Sequence, residues 1–424
     1  MSIRLFCRSK ANSRAAQAGQ ALVMALVIML VALPVGITFY RYVGVTLRSA
    51  MAERKQKTAS QFANAAVTDY FRQFSQNAYS GHYDTADLSR PQTFYSAGYS
   101  TVTFIPDSLG HTLYLRAEGV YGTPAKPLTK QILEALIQFA SDLVQYGTMV
   151  NGPFTISASN VSYDGGFYTN GNLSVTGSNV RFNGGPVVVA GNLSGAASVV
   201  IDGDLYYSGT SAGAVTVTGT KYNFIPAVTW PTLDFAYYDA HYTYKTTTNQ
   251  TIIFNSTGTF TVVGGATYAI PADGALIYAQ NASLTLRGIV SGRVTAVAGA
   301  TSAGNCTSAA GKITVNDNLY YVGASSISAS AGASFAALAR NCTTFTKTGA
   351  DLLVVGVHFV EQGTSNMKLT GSSGKRFQLY GVRTQGISVS GFTGGITLKY
   401  DNNLRTFQPP GLPEKALLVN WNHH

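Results

Sequence analysis

Charge is scarce in this chain. Of 424 residues only 11% are Asp, Glu, Lys or Arg, against about 25% in an ordinary soluble domain. That argues against a helical cytosolic enzyme. Cysteine is scarcer, at three residues, and tryptophan stands at two. Neither G-x-x-x-x-G-K-[ST] nor H-E-x-x-H occurs, which excludes a P-loop and a zincin-type site. The six histidines, at 82, 111, 241, 358, 423 and 424, are scattered, and only the terminal pair is adjacent. No cofactor or metal is expected. The net charge of +10 is unevenly placed. Up to Lys57 there are nine basic residues and one acid, Glu53; the rest of the chain holds twenty basic and eighteen acidic. A nucleic-acid binder carries its basic patch on the folded domain, so no nucleic-acid partner is expected. With 46% apolar residues, wholesale disorder is excluded as well. What is abundant is glycine (44), tyrosine (25), and Ser, Thr and Asn. That texture reads as β-structure on an extracytoplasmic surface.

Ala21 to Tyr40 is one run of 20 residues without charge. As a helix it spans about 30 Å, the thickness of a bilayer's hydrocarbon core. Pro34 and Gly36 are tolerated in such a helix. No small-x-small site follows the run, so a retained helix is expected rather than a cleaved secretory signal. Basic residues flank it on both sides, so the positive-inside rule does not orient it. The exported texture of the body does: the N-terminus is expected in the cytoplasm and the C-terminal part outside. Beyond the run, Val45, Ala52, Ala59, Phe62, Ala66, Tyr70 and Phe74 recur at helical steps. One long helix is expected, apolar first and amphipathic second.

A basic leader ending in Gly19, followed by GQALVMALVIMLVALPVG, resembles a type IV prepilin, and in particular the minor pilins of the PilX type. The resemblance implies cleavage by a prepilin peptidase between Gly19 and Gln20, and pilin-like subunits as partners. One departure stands out. Major pilins carry Glu at the fifth mature position, and this chain has Met24. The alternative reading of the same segment is a plain signal anchor. The C-terminal run Asp401, Leu404, Arg405, Thr406, Pro409, Pro410, Gly411 and Pro413 also resembles endings of bacterial pilus-assembly proteins that join such a helix to a Gly-rich β domain.

Between these ends, residues 77–144 read as a small β region. Ser100–Ile105 and Leu113–Val120 alternate as strands around the turn-rich PDSLGH, and Lys130–Leu143 shows helical spacing, predicting a bridging helix. From residue 145 short β-runs alternate with Gly, Asn and Ser. YTNGNLSV at Tyr168, VVAGNLSG at Val188, VIDGDLYY at Val200 and VNDNLYYV at Val315 resemble one another. Strand-and-turn repeats without intervening helices predict a β-solenoid over 145–424; the alternative is an antiparallel β-sandwich. The expected organisation is therefore mainly β: a leader at 1–19, a membrane and amphipathic helix at 20–76, the small β region, then the solenoid.

Residues 221–250 interrupt the repeats with a dense aromatic set. Trp230, Tyr237, Tyr238 and Tyr242 are candidates for a sugar-binding platform; the alternative is a flap covering the solenoid. Asp202 and Asp204 could do acid/base work or hold calcium, as paired carboxylates do on β-helical polysaccharide enzymes, but the sister repeats carry Asn, which favours a corner role. His358 in VVGVHFV reads as a strand residue. With Cys7 in the leader, Cys306 and Cys342 remain as an exported pair, and a disulfide is expected. The leading functional expectation is a non-enzymatic, pilin-like subunit of a type IV pilus or related secretion filament, in assembly or adhesion. The alternative is a membrane-tethered protein that binds or degrades surface polysaccharide.

Overall fold

The computed structural model describes residues 9–76, 93–106, 112–225, 230–323, 332–363 and 366–423. Cys7, most of the PDSLGH turn and the start of the small β region lie outside them. The N-terminal helix, Ser9–Gln76, is 68 residues long, or about 100 Å. It starts eleven residues before Gln20 and runs through Gly19 without a break. Its apolar part is long enough to cross a membrane. Pro34 lies inside it and brings no amide hydrogen; one turn on, the Thr38 hydroxyl donates to the Pro34 carbonyl at 2.7 Å.

The far end of the helix lies on a five-stranded antiparallel sheet. The strand order is Thr93–Tyr95, Gly98–Pro106, Thr112–Thr123, Lys126–Ala140 and Lys415–His423. Ala59, Ala63, Ala66, Val67, Tyr70 and Phe74 are buried there, and Phe62 stacks on Tyr95 at 4.5 Å. The stripe noted in the sequence is therefore real, but only its second half is used: Val45 and Ala52 are exposed.

The expected helix at Lys130–Leu143 is a strand instead. Leu133, Ala135, Ile137 and Phe139 alternate into the core against the helix, and strands on both sides supply the backbone partners. Only Asp142–Val144 is helical, as a single 3₁₀ turn capped by Ser141. The C-terminal strand is an edge strand of this sheet, not a coil of the solenoid. Lys415 pairs with Ala140, which places the last strand of the chain beside Lys126–Ala140.

The rest is a parallel β-solenoid, and the sandwich alternative is excluded by its pairing. In the first stack three short strands recur from coil to coil: Val161↔Val180↔Val199, Phe167↔Val187 and Phe154↔Leu173↔Leu193. This stack runs from Thr148 to Tyr222. The chain then leaves and begins a second stack at Tyr244, which ends at Lys399. The second stack docks its last coil beneath the first coil of the first stack, Arg383 and Thr384 pairing with Thr148 and Met149. The coils are thus stacked in a different order from the sequence.

Two boundaries move as a result. The excursion is narrower than 221–250: Lys221–Tyr222 and Tyr244–Thr246 are coil strands, and the described residues between them are 223–225 and 230–243. The solenoid ends at Lys399, and 400–414 forms a strap back toward the sheet.

The repeat motif has a simple cause. At the start of a strand the Asn or Asp side chain accepts the backbone N–H of its counterpart in the next coil. Asn172 accepts from Asn192, Asn192 from Thr210, and Asp204 from Thr220, each at 2.8 Å. Asn249, Asn318 and Asp351 do the same for Ser283, Leu353 and Arg376. In the first stack the glycine before each donor follows from the same stacking. A methyl on Gly191 would lie 2.4 Å from the Asn172 Oδ1, and one on Gly209 2.0 Å from the Asn192 Oδ1. These corners of the first stack need both the acceptor and the bare backbone above it.

Candidate functional site

Each residue singled out in the sequence can now be placed. Gly19 and Gln20 are exposed on the free part of the helix. From Ala21 to Tyr40 every residue is exposed, among them Leu22, Ile28, Met29, Leu30 and Phe39, with no contact to the head. An apolar helix of this length does not stay in water, so this surface calls for lipid or other helices.

The four candidate aromatics do not form a platform. Tyr238 is fully buried, and its hydroxyl donates to the Gly411 carbonyl at 3.0 Å. Trp230 packs on Phe359, with ring centres 5.7 Å apart. Tyr237 stacks on His241, and burial, then Glu414, raises its phenol. Tyr242 is exposed, with the Lys245 ammonium 5.8 Å from its ring centre. Asp234 caps the short helix Phe235–His241 by accepting from Ala236 and Tyr237, and Phe235 stacks on Tyr278 of the solenoid. The excursion is a cover laid along one face of the coils, which the flap alternative anticipates.

The strap 400–414 lies over the same face and accounts for the C-terminal motif. Asp401 caps the turn Asn402–Arg405 through the Asn403 N–H. Leu404 is buried. Arg405 donates to the Tyr400 hydroxyl at 2.8 Å and to the Gln145 carbonyl at 3.0 Å. Arg293 donates to the Gln408 carbonyl at 2.8 Å, and the Thr295 hydroxyl to that of Pro410. Gly411 sits at φ +67°, where a side chain would also meet Leu276 at 2.7 Å. The buried Asp401 carboxyl, faced by the Tyr380 and Tyr321 hydroxyls, is held up at about 6 by burial, against its hydrogen bonds.

Cys306 and Cys342 form a disulfide, with Cα atoms 4.9 Å apart. It ties the loop after Arg293–Ala298 to a strand of the next coil. His358 is a buried strand residue between Phe335 and Phe345, its Nε2 3.1 Å from the Val355 carbonyl oxygen. Burial pushes it down to about 4, so it is neutral near pH 7. Asp202 and Asp204 are corner acceptors, for the Thr218 hydroxyl and the Thr220 N–H. Among the described residues no cluster of His, Cys, Asp and Glu could hold a metal ion.

Sequence reasoning missed the buried arginines. Arg383 lies where the two stacks meet, over the rings of Phe154 and Tyr163 at 6.0 and 5.5 Å. Burial lowers it, while Tyr163 works the other way. No local signal marks such a residue, because its partners come from the first coils of the other stack, far earlier in the chain.

No family model matches the chain, and no curated protein matches it. Among solved structures, it is similar to the competence-associated pilin ComZ from Thermus thermophilus, at a TM-score of 0.31 and 10% identity, over 87% of this chain and 97% of that one. A similarity this loose specifies neither fold nor role.

Proposed function

We propose that this chain is a non-enzymatic, pilin-like subunit of a type IV pilus or related secretion filament. It would be anchored by its N-terminal helix, with the N-terminus in the cytoplasm, and would carry the solenoid outside for assembly or adhesion. The observation that carries the reading is the division of one unbroken helix. Its second part is buried on a sheet at Ala59–Phe74, while Ala21–Tyr40 projects apolar and uncovered. Such a helix suits a subunit held first by lipid and then by the helices of other subunits. A plain anchor needs no rigid continuation into the head. The aromatic excursion, being cover, supports a structural role over the polysaccharide-binding or polysaccharide-degrading alternative. Met24 supports a low-copy position: in the resembling major pilins a carboxylate at that place answers a neighbour's amino group within the apolar core, and an unpaired charge there is costly.

The test is the mature N-terminus. Mass spectrometry of membrane-extracted protein, from cells that contain a prepilin peptidase, is expected to find Gln20 as the first residue. An intact leader in those cells would refute the pilin reading. Gly19→Val is expected to block the cut and leave the protein in the membrane.

A further inference from the structure

One corner of the second stack carries a contact that the other corner acceptors lack. Among the described residues, only Asn318 of those acceptors also receives a hydrogen bond from an amine. Its Oδ1 takes the Leu353 N–H at 3.1 Å and the Lys347 ammonium at 2.8 Å. The Asp317 Oδ1 lies 2.8 Å from the same Nζ. An amine, a carboxamide and a carboxylate therefore meet at one place. The two donors fix which end of the carboxamide is its oxygen. A carbonyl bond is about 1.23 Å long, so the Lys347 Nζ lies within about 4.0 Å of the Asn318 Cγ.

Burial is graded across the three groups. Phe345 is buried in the core, and Lys347, two residues on, falls on the same side of its strand. The Lys347 side chain is only 16% exposed, and that of Asp317 is 51% exposed. The amine is largely enclosed, while the carboxylate keeps a path to water.

We infer that Lys347 and Asn318 join covalently, in an isopeptide bond that the folded chain forms by itself. Asp317 takes a proton from the Lys347 ammonium, which frees the nitrogen lone pair. The amine attacks the Asn318 Cγ, and negative charge moves onto Oδ1, where the Leu353 N–H already points. The Cγ–Nδ2 bond then breaks. Its electron pair leaves with Nδ2, which gains the two protons shed by the amine and departs as ammonium. One C–N bond forms and one breaks, and nothing is oxidised or reduced. The positive charge of the lysine leaves with the ammonium. Folding supplies the fixed proximity that a free lysine and a free asparagine lack. The corner survives the reaction, because Oδ1 remains as the amide oxygen and still accepts from Leu353. The bond ties two residues 29 apart. The disulfide fixes Cys342 at the start of the strand that Lys347 ends, so this strand is clamped at both ends. The inference rests on this corner alone and holds whether or not the helix enters a filament.

The test is mass spectrometry of the full chain, extracted in mild detergent, then reduced and denatured. The wild type is expected to be lighter by one ammonia than the sequence from its observed first residue. A protease that cuts after lysine should fail at Lys347 and release one branched peptide joining the segments that hold Asn318 and Lys347. Lys347→Arg keeps a cation against Asp317 and should show the full mass of its own sequence. Asp317→Ala, followed from fresh synthesis, should lose ammonia at least about 100-fold more slowly. A wild type of full mass that is cut after Lys347 overturns the inference and leaves only a hydrogen-bonded amine. An ammonia loss of equal size in Lys347→Arg overturns it too, because Gln20 or an Asn-Gly turn also sheds ammonia on cyclising. Loss at the wild-type rate in Asp317→Ala refutes the part given to the carboxylate. Should a variant misfold, the wild type decides alone: the branched peptide supports the bond, and its absence refutes it.

Discussion

Gly119 faces the backbone of the N-terminal helix with no room for a side chain. A methyl there would lie 2.0 Å from the Ala59 carbonyl oxygen and 2.6 Å from the Ala63 nitrogen. Both are backbone atoms, so no rotamer change relieves the overlap. Reaching an ordinary 3.4 Å contact means moving helix and sheet apart by about 1.4 Å. A gap of even about 0.5–1 Å forfeits a quarter to a half of the dispersion contact along a seam. This seam sets Ala63, Ala66, Val67, Tyr70 and Phe74 against Leu115, Ala117, Ala135, Ile137 and Phe139. Gly119→Ala is therefore expected to destabilise the sheet by about 2–4 kcal/mol, toward the upper end of overpacking costs. Gly44→Ala is the control. Nothing lies within 4 Å of its added methyl, and in a helix interior it should stabilise by about 0.5–1 kcal/mol. The two tryptophans separate the parts: Trp421 lies on the last strand of the sheet, and Trp230 on the solenoid cover. Denaturant titration of the full chain in detergent, followed by Trp421 fluorescence in a Trp230→Phe background, reads the sheet. An unchanged midpoint for Gly119→Ala, or an equal loss for Gly44→Ala, would refute the close backbone docking.

Three further outcomes are expected. Asp204→Asn should be nearly neutral, because Asn fills the equivalent corners at 172 and 192, while Asp204→Ala should cost about 1 kcal/mol by leaving the Thr220 N–H to water; equal losses for both would sink the corner role. Reduction of Cys306–Cys342, which are 36 residues apart, should remove about 3–4 kcal/mol on the chain-entropy model; two reactive thiols per oxidised, denatured chain would exclude the bond. Asp401 and His358 should oppose each other with pH. Asp401, raised to about 6 from 3.8, contributes stability below about pH 4 that is lost as pH rises through 6. His358, lowered to about 4 from 6.5, contributes stability above 6.5 that is lost as pH falls through 4. Each is worth about 3 kcal/mol, so the wild type should change little across this window. Asp401→Asn should fall with acid and His358→Leu should rise; parallel pH curves for all three proteins would contradict the assignment.

How much of this was legible in the sequence depended on how local the cause was. Ala21–Tyr40 declared itself, because length and lack of charge are enough for a membrane-length helix. The G-[ND]-L repeats were legible too, because each Asn or Asp bonds the very next coil, a short way along the chain. Lys130–Leu143 was misread as a helix because most of it satisfies two periods at once. Ile132, Leu133, Leu136 and Ile137 suit a helix, and Leu133, Ala135, Ile137 and Phe139 suit a strand. What decides is pairing on both sides, and the strand that supplies one side, beginning at Lys415, is the last in the chain. The order of the two stacks could not be read at all. It is set by Arg383 meeting Thr148 and by the cover of 230–243, for which no periodicity exists. The placement of the aromatic candidates was illegible for the same reason: a sequence shows aromatic density, but not which way the rings face.

The reversed coil order also explains why the molecule needs both crossing segments. The first stack begins at Thr148, in the middle of the solenoid, and winds to one end. To continue, the chain must return along the whole length to the other end, and of the connecting residues 230–243 lie along that face. When the second stack has wound back to the middle at Lys399, the chain lies beside Tyr146 and Tyr400, close to where it entered. From there the strap is fixed by Arg405, Arg293 and Thr295 and delivers Lys415–His423 to the sheet. The sheet is thus joined covalently to the solenoid twice, through Ala140 to Thr148 and through 400–414. A single linker would leave the solenoid free to swing on the sheet. With two connections pinned to the same face, a pull on the helix would pass through the sheet into the coils by two routes rather than one.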